Sequence, residues 1–492
     1  MIKNIYERIL GFFKSKELYI AFAATLVFFG MFIIKDYTVD SYLFFKETWR
    51  EPFYHFLGLG RLVSAAAWIS VCKTNFATAY LISFAVAIIS TTVSIYKLNQ
   101  ILYRDIKNKK ITMLISIITV INIFSLELFM FYEKGIMTLS VLFNILAIGH
   151  IENALKFEKK SIKSMILILV YMFLANCSYQ GTVGLFVTIA TVYIVKNSRS
   201  ILTFILNNIV VAILYAIPAL ANYAITRFIF KSTRLNEQIF SIEKIKNIIQ
   251  ITKIDIINTF DIMPKYLFLT MIVLFVLLYI IKSIKNKKNI FLCLFFIVYI
   301  VVANLFATMA PQVMQSYVYV VPRNIYSLGA ILGVILMIMY FNDNKTKIID
   351  TIIIVISTIF MFMMFYNFVD ITLDHYKTNF EDRLIVSRIK DKVINYENET
   401  GAYVNKLVIY KNEFCALQYE GTRWIGDANV RAFFTDWGIR GILDEELERQ
   451  VFQVEGEDES IKEYFDNKSS EWKGFSEEQV VLKDDTLYLY VY

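Results

Sequence analysis

Two carboxylates, Asp36 and Asp40, follow the first long apolar run in Lys35-Asp36-Tyr37-Thr38-Val39-Asp40-Ser41-Tyr42. Residues four apart share a face of an α-helix, so a helical stretch here would stack both acids side by side. One could then accept a proton from an incoming hydroxyl while its partner orients that base or a cation. A solvated helix end would explain either acid alone, but carboxylates near lipid are costly and a pair there needs a reason. Further along, Gly60-Arg61 opens another apolar stretch and Pro322-Arg323 stands beside a late one. A guanidinium fork matches phosphate oxygens, although an arginine near a helix end also snorkels to the interface without any ligand.

Cys177-Ser178-Tyr179-Gln180-Gly181 separates two apolar runs. The side chains of Tyr179 and Gln180 can hydrogen-bond sugar hydroxyls, and they equally suit a tight hairpin with an interfacial Tyr. Glu127 falls inside an apolar pattern and is expected to face a polar cavity. Glu133 reads as ordinary loop charge. His55, His150 and His375 do not stand at metal-ligand spacing, and no HExxH, EF-hand, Walker or dinucleotide glycine pattern occurs. That disfavours an ATP-driven pump or a cytosolic nucleotide-sugar synthase. Cys72, Cys177, Cys293 and Cys415 form no CxxC, and so suggest neither a disulfide framework nor a zinc site.

The elements that must position these residues are membrane helices. The chain has 492 residues, of which 57% are hydrophobic, too apolar for an ordinary soluble globule. Eleven apolar runs approach the roughly 20 residues of a spanning helix: 17–35, 75–97, 111–131, 136–154, 164–178, 180–195, 200–222, 265–281, 289–309, 322–341 and 347–369. Residues 1–369 carry 35 Lys and Arg against 17 Asp and Glu, while 370–492 carry 15 against 26. The basic excess concentrates in alternate loops: Arg104 to Lys110, Lys156 to Lys163 (with Lys159 and Lys160), Lys196/Arg199, Lys282 to Lys288, and Lys345/Lys347. This positive-inside pattern puts the N-terminus in the cytoplasm and gives no reason to invoke nucleic acid. The basic start, Met1 to Lys16, reads as a cytoplasmic leader to a retained anchor.

On this topology three segments face outward. The first, 36–74, includes Trp49, Tyr54, His55 and Trp68 and suits interfacial helices, as does the second, 227–264. The third, 370–492, is an acidic tail with a soluble texture. Residues 403–410 and 486–492 alternate like strands, and 376–395 and 444–466 look helical, which predicts a small α/β domain. The expected fold is a polytopic α-helical membrane protein (1–369) with a small extracytoplasmic α/β C-terminal domain (370–492).

At Asp36/Asp40, Gly60-Arg61, Tyr179-Gln180 and Pro322-Arg323, in that order, the membrane region resembles the GtrII-type glucosyltransferases. These are membrane enzymes of the GT-C class. The family's acidic pair is often two adjacent aspartates, whereas here three residues separate them, leaving open which is the base. The resemblance implies transfer of a sugar, glucose or a related hexose, from a polyprenyl-phosphate donor to a surface glycan on the outer face. Asp36 or Asp40 would be the general base, Arg61 and Arg323 would hold the donor phosphate, and Tyr179, Gln180 and Glu127 would contact sugar or acceptor. Whether a divalent cation (Mg or Mn) assists the aspartates is left open. A flippase for lipid-linked glycans would predict mid-span charges and internal pseudo-repeats. A surface-glycan polymerase or ligase would fit the outward arginines but less readily the acidic pair.

Overall fold

Long Ile, Leu, Phe and Val runs with few breakers, in a chain holding 17 Gly and 5 Pro, leave helix as the backbone's way of satisfying its own polar groups away from water. The computed structural model of the chain describes residues 14–44, 50–156, 161–232, 241–313, 315, 318–341, 347–412, 415–454, 456, 458–472 and 474–492. Trp49, Lys159, Lys160, Lys345 and most of the leader at 1–16 lie outside the described residues.

Among the described residues, eight helices are long and apolar enough to cross a membrane: Lys16–Ile33, Phe76–Tyr103, Lys134–Leu155, Ile201–Ile229, Leu267–Lys285, Ile290–Val313, Pro322–Tyr340 and Lys347–Thr400. The runs expected at 111–131, 164–178 and 180–195 form shorter helices, Lys109–Val120, Ile162–Ser178 and Gly184–Asn197. In the first of these, the backbone leaves the helix at Ile121 and resumes as the short helix Leu126–Met130, which carries Glu127. Side chains named in the sequence mark several starts. Asn75 caps Phe76–Tyr103 by accepting from the Thr78 amide, and Ser200 with Thr203 forms a capping box before Ile201–Ala224.

Chain contacts divide the molecule into two compact units. The first comprises 1–34, 53–129 and 133–369. Within it Pro322–Tyr340 is almost wholly buried, whereas Ile201–Ile229 exposes most of its length. Phe29 stacks on Phe129 with ring centres 3.8 Å apart, and Phe28 meets Phe365 and Phe368 edge-on. Proline inside Ile290–Val313 removes one helical donor, because Pro311 has no N–H for the carbonyl of Ala307. The Tyr215 hydroxyl donates to that carbonyl instead, at 3.0 Å.

The second unit comprises 35–52, 130–132 and 370–492, so the segment expected as one outer stretch, 36–74, is divided between the two. The helix Lys347–Thr400 runs on through 376–395, and 444–466 breaks into the helices Asp436–Leu447 and Glu459–Lys468. Between those helices lies β2 (Phe452–Gln453), with β1 at Lys406–Lys411, β3 at Val480–Lys483 and β4 at Thr486–Val491. The order is β2-β1-β4-β3, with β1 parallel to β2 and β4, and with β3 and β4 an antiparallel hairpin. Val408, Tyr410, Ile461, Phe465 and Tyr490 form the core between sheet and helix.

Candidate functional site

Gly60-Arg61 is placed by a helix ending. The Arg61 amide donates to the Phe56 carbonyl and that of Gly60 to Leu57, the paired bonds of a Schellman motif closing Arg50–Gly58. The motif needs a left-handed residue, and Gly60 supplies it at φ 72°. Arg61 then stands at the N-cap of Leu62–Val71. The Gln180 amide nitrogen donates to the carbonyls of Leu59 and Gly60, at 3.0 and 3.2 Å, pinning this turn from the other side. Gln180, expected as a sugar contact, therefore spends its donor on the backbone that presents Arg61.

The guanidinium of Arg61 lies 4.8 Å from the centre of the Tyr179 ring, and its Nη1 pairs with Glu133 at 2.8 Å. Nε is buried without a hydrogen-bond partner. Glu133 occupies the N-cap position of Lys134–Leu155, where a carboxylate suits the positive end of the helix dipole. Reading it as ordinary loop charge missed this, because the partner is 72 residues away.

Tyr179 is buried. Its hydroxyl donates to Asn324 Oδ1 at 2.7 Å, and Ser140 Oγ lies 3.0 Å from its carbonyl. Gly181 allows the approach: a Cβ there would fall 2.6 Å from Tyr179 Cε1 and 2.7 Å from the Arg323 carbonyl. Arg323, in the 3₁₀ turn Pro322–Ile325, is itself buried. Its backbone N–H donates to Glu127 Oε2 at 2.7 Å, and its Nη1 pairs with Glu127 Oε1. Glu127 has no solvent exposure, so the cavity expected around it is occupied by an arginine. The charges of Arg61, Arg323, Glu127 and Glu133 all act on the Tyr179 hydroxyl.

Arg61, Tyr179, Gln180, Arg323 and Glu127 thus gather in the first unit, with Glu133 and Asn324 as members the sequence did not single out for chemistry. Asp36 and Asp40 belong to the second unit. They do not stack on a helical face. Residues 35–38 have no regular structure and Val39–Phe44 is a 3₁₀ helix, whose three-residue turn does not align positions four apart. Asp36 is buried 3.6 Å from Arg383, and the amide of Tyr37 donates to Asn379. Among the described residues no group of three or more His, Cys, Asp or Glu could hold a metal ion.

A deeper polar cluster in the second unit had no sequence signal. Arg431 is buried between the rings of Tyr419 and Tyr492, 4.6 and 5.0 Å from their centres. Asp382, also buried and well beyond the apolar run ending at Val369, accepts from the Tyr419 hydroxyl at 2.7 Å and the Ala432 amide at 2.8 Å. Loss of water raises its pKa to about 6, against the smaller opposing pull of those bonds and of Arg431 and Arg383.

No family model, curated protein or solved structure matches the chain.

Proposed function

We propose that this protein is an integral-membrane glycosyltransferase that moves a hexosyl group, glucose or a relative, from a polyprenyl-phosphate donor to a surface glycan. The observation that carries this reading is the closure of three distant motifs, Gly60-Arg61, Tyr179-Gln180 and Pro322-Arg323, into one cluster with one buried guanidinium group, that of Arg323, and one partly buried, that of Arg61. Buried ionisable groups in a membrane protein are expensive, and such groups commonly mark a substrate path. The basic loops support a cytoplasmic N-terminus, which puts the reaction on the outer face and the acidic residues 370–492 outside the cell.

In the reaction, a carboxylate takes the proton of the acceptor hydroxyl while that oxygen attacks the anomeric carbon opposite the phosphate. The bond from that carbon to the phosphate oxygen breaks, its electron pair leaves with polyprenyl phosphate, and the anomeric centre inverts. Arg61 offers its partnerless Nε to the departing phosphate, so no separate acid is required. Glu133 and Glu127 keep the guanidinium groups neutralised and oriented when no donor is present. The base is assigned to Asp36 or Asp40 on the family resemblance, and no step runs through a metal ion.

Membranes supplied with polyprenyl-phosphate hexose and acceptor glycan test the assignment. Asp36→Asn or Asp40→Asn is expected to abolish transfer. Full transfer by both single variants would sink it, and movement of the lipid-linked sugar across the bilayer without transfer would point to a flippase.

A further inference from the structure

Just past the apolar run of the helix Lys347–Thr400, Asp370, Asp374 and Lys377 follow at steps of four and three, which sets them on one helical face. A loop of the same unit is tied along that face. Lys377 Nζ donates to the Glu420 carbonyl at 3.0 Å. The amide and Nε of Arg423 both donate to Asp374 Oδ2, at 3.2 and 2.9 Å, and its Nη2 pairs with Asp370. From Glu420 to Arg423 the loop therefore runs toward the end of the span. Gly421, at φ 77°, allows the turn in which the Thr422 amide donates to the Tyr419 carbonyl. Trp424, the residue after the double tether, is exposed. The chain then turns back, with the Ala428 amide on the Ile425 carbonyl and Asn429 Nδ2 donating to the Arg423 carbonyl at 2.8 Å.

Helix length gives the height of this loop. Asp350 is the last charge before the apolar run, and Thr351 to Val369 spans about 28 Å at 1.5 Å per residue, close to the roughly 30 Å of a hydrocarbon core. A headgroup layer adds about 5–7 Å on each side, or about four helical residues. Asp370 to Asp374 fall in that layer, and Arg423 and Trp424 are held level with them. Leu373 and Tyr376, both exposed, flank the tethered face at nearly the same height. Tryptophan and tyrosine concentrate at this boundary because the ring buries apolar area while its N–H or O–H stays wet. Asp370, Asp374 and Glu420 outnumber Lys377 and Arg423, so anionic lipid is not what draws the loop down.

We infer that residues 420–425 form a bilayer-contacting tip of the second unit, with the Trp424 ring seated in the headgroup layer beside Leu373 and Tyr376. The partner is the lipid surface around the span, zwitterionic lipid included. The ion pairs of Arg423 with Asp370 and Asp374 set the height of the ring, and apolar burial supplies the contact. The inference does not rest on the proposed activity.

The full chain in lipid nanodiscs tests it. The fluorescence of wild type minus that of Trp424→Phe isolates one of the five tryptophans. This component is expected to be blue-shifted from a water-exposed indole. It should be quenched more by phosphatidylcholine brominated near the top of the acyl chain than by lipid brominated near its end, with or without added phosphatidylglycerol. Arg423→Ala, which unties the loop, is expected to lose most of that quenching while its helical circular dichroism is unchanged. An unquenched component overturns the inference, whether its emission is that of water or the blue-shifted emission of a ring covered by protein. Quenching that appears only with phosphatidylglycerol would overturn the apolar contact, and full quenching in Arg423→Ala would overturn the tether.

Discussion

Arg61 and Glu133, brought from separate helices, form a largely buried ion pair at 2.8 Å with the arginine lying on the ring of Tyr179. Glu133→Gln removes the charge and keeps the shape. Its expected cost is about 1–2 kcal/mol, less than the 3–5 kcal/mol of a fully buried pair, because Arg61 retains some access to water. Arg61→Ala should lower kcat/KM for the lipid-linked donor about 10²- to 10³-fold, while Glu133→Gln leaves donor binding intact or tighter. Thermal melts and donor-dependence of transfer, measured on both variants, separate the two effects.

Arg323 and Glu127 are more deeply buried, so breaking this pair from one side strands a charge. Glu127→Ala is expected to lose about 3–5 kcal/mol, whereas Glu127→Leu/Arg323→Met together should recover most of that stability. The double variant should nevertheless be inactive. Recovered activity with recovered stability would show that the pair serves the fold alone.

Gly181→Ala meets the ring of Tyr179 and the Arg323 carbonyl at under 3 Å. The backbone must move to admit the methyl, at about 1–3 kcal/mol, and the Tyr179–Asn324 hydrogen bond is the contact nearest the shift. A drop in transfer larger than the drop seen in Asn324→Ala would place the damage at Arg61 and Arg323 as well.

Asp382 gives the second unit a pH dependence of defined sign. Its folded pKa, about 6, lies above the 3.8 of an ordinary aspartate. The protonated form is therefore favoured by folding, its stabilisation is present in full below about pH 4, and it is lost as pH rises through about 6, a change of order 3 kcal/mol. Asp382→Asn stays neutral throughout, so the difference in stability between variant and wild type should shift in favour of the variant from pH 4 to 7. Denaturant titrations of the detergent-solubilised chain at both pH values measure it, and a constant difference would contradict it.

Much of the architecture was legible in the chain because it is written in local patterns. Apolar runs without breakers dictate helices wherever water is absent, Asn75 and Ser200 announce helix starts, and the alternation in 486–492 announces a strand. The helix at 111–131 was less legible, since it breaks at Ile121 without a Gly or Pro, in a turn where the Asn122 side chain accepts from the Phe124 amide and the Ser125 hydroxyl donates to the Asn122 carbonyl. The stacking expected of Asp36 and Asp40 failed for a longer-range reason. Side-chain spacing implies a shared face only if the backbone is α-helical, and the backbone there is held by Asn379 and Arg383, more than 300 residues away.

The sequence by itself determined the residue types that can meet a phosphate or a sugar, the helices that carry them, and the charge asymmetry between its two parts. Only the tertiary structure decided their partners: Glu133 for Arg61, Glu127 for Arg323, Asn324 for Tyr179, and a backbone turn for Gln180. The physical reason is range. Helix formation and capping depend on neighbours within a turn, whereas buried charges must be neutralised by whatever the fold brings within a few ångströms, and one chain read in order does not say which residue that will be.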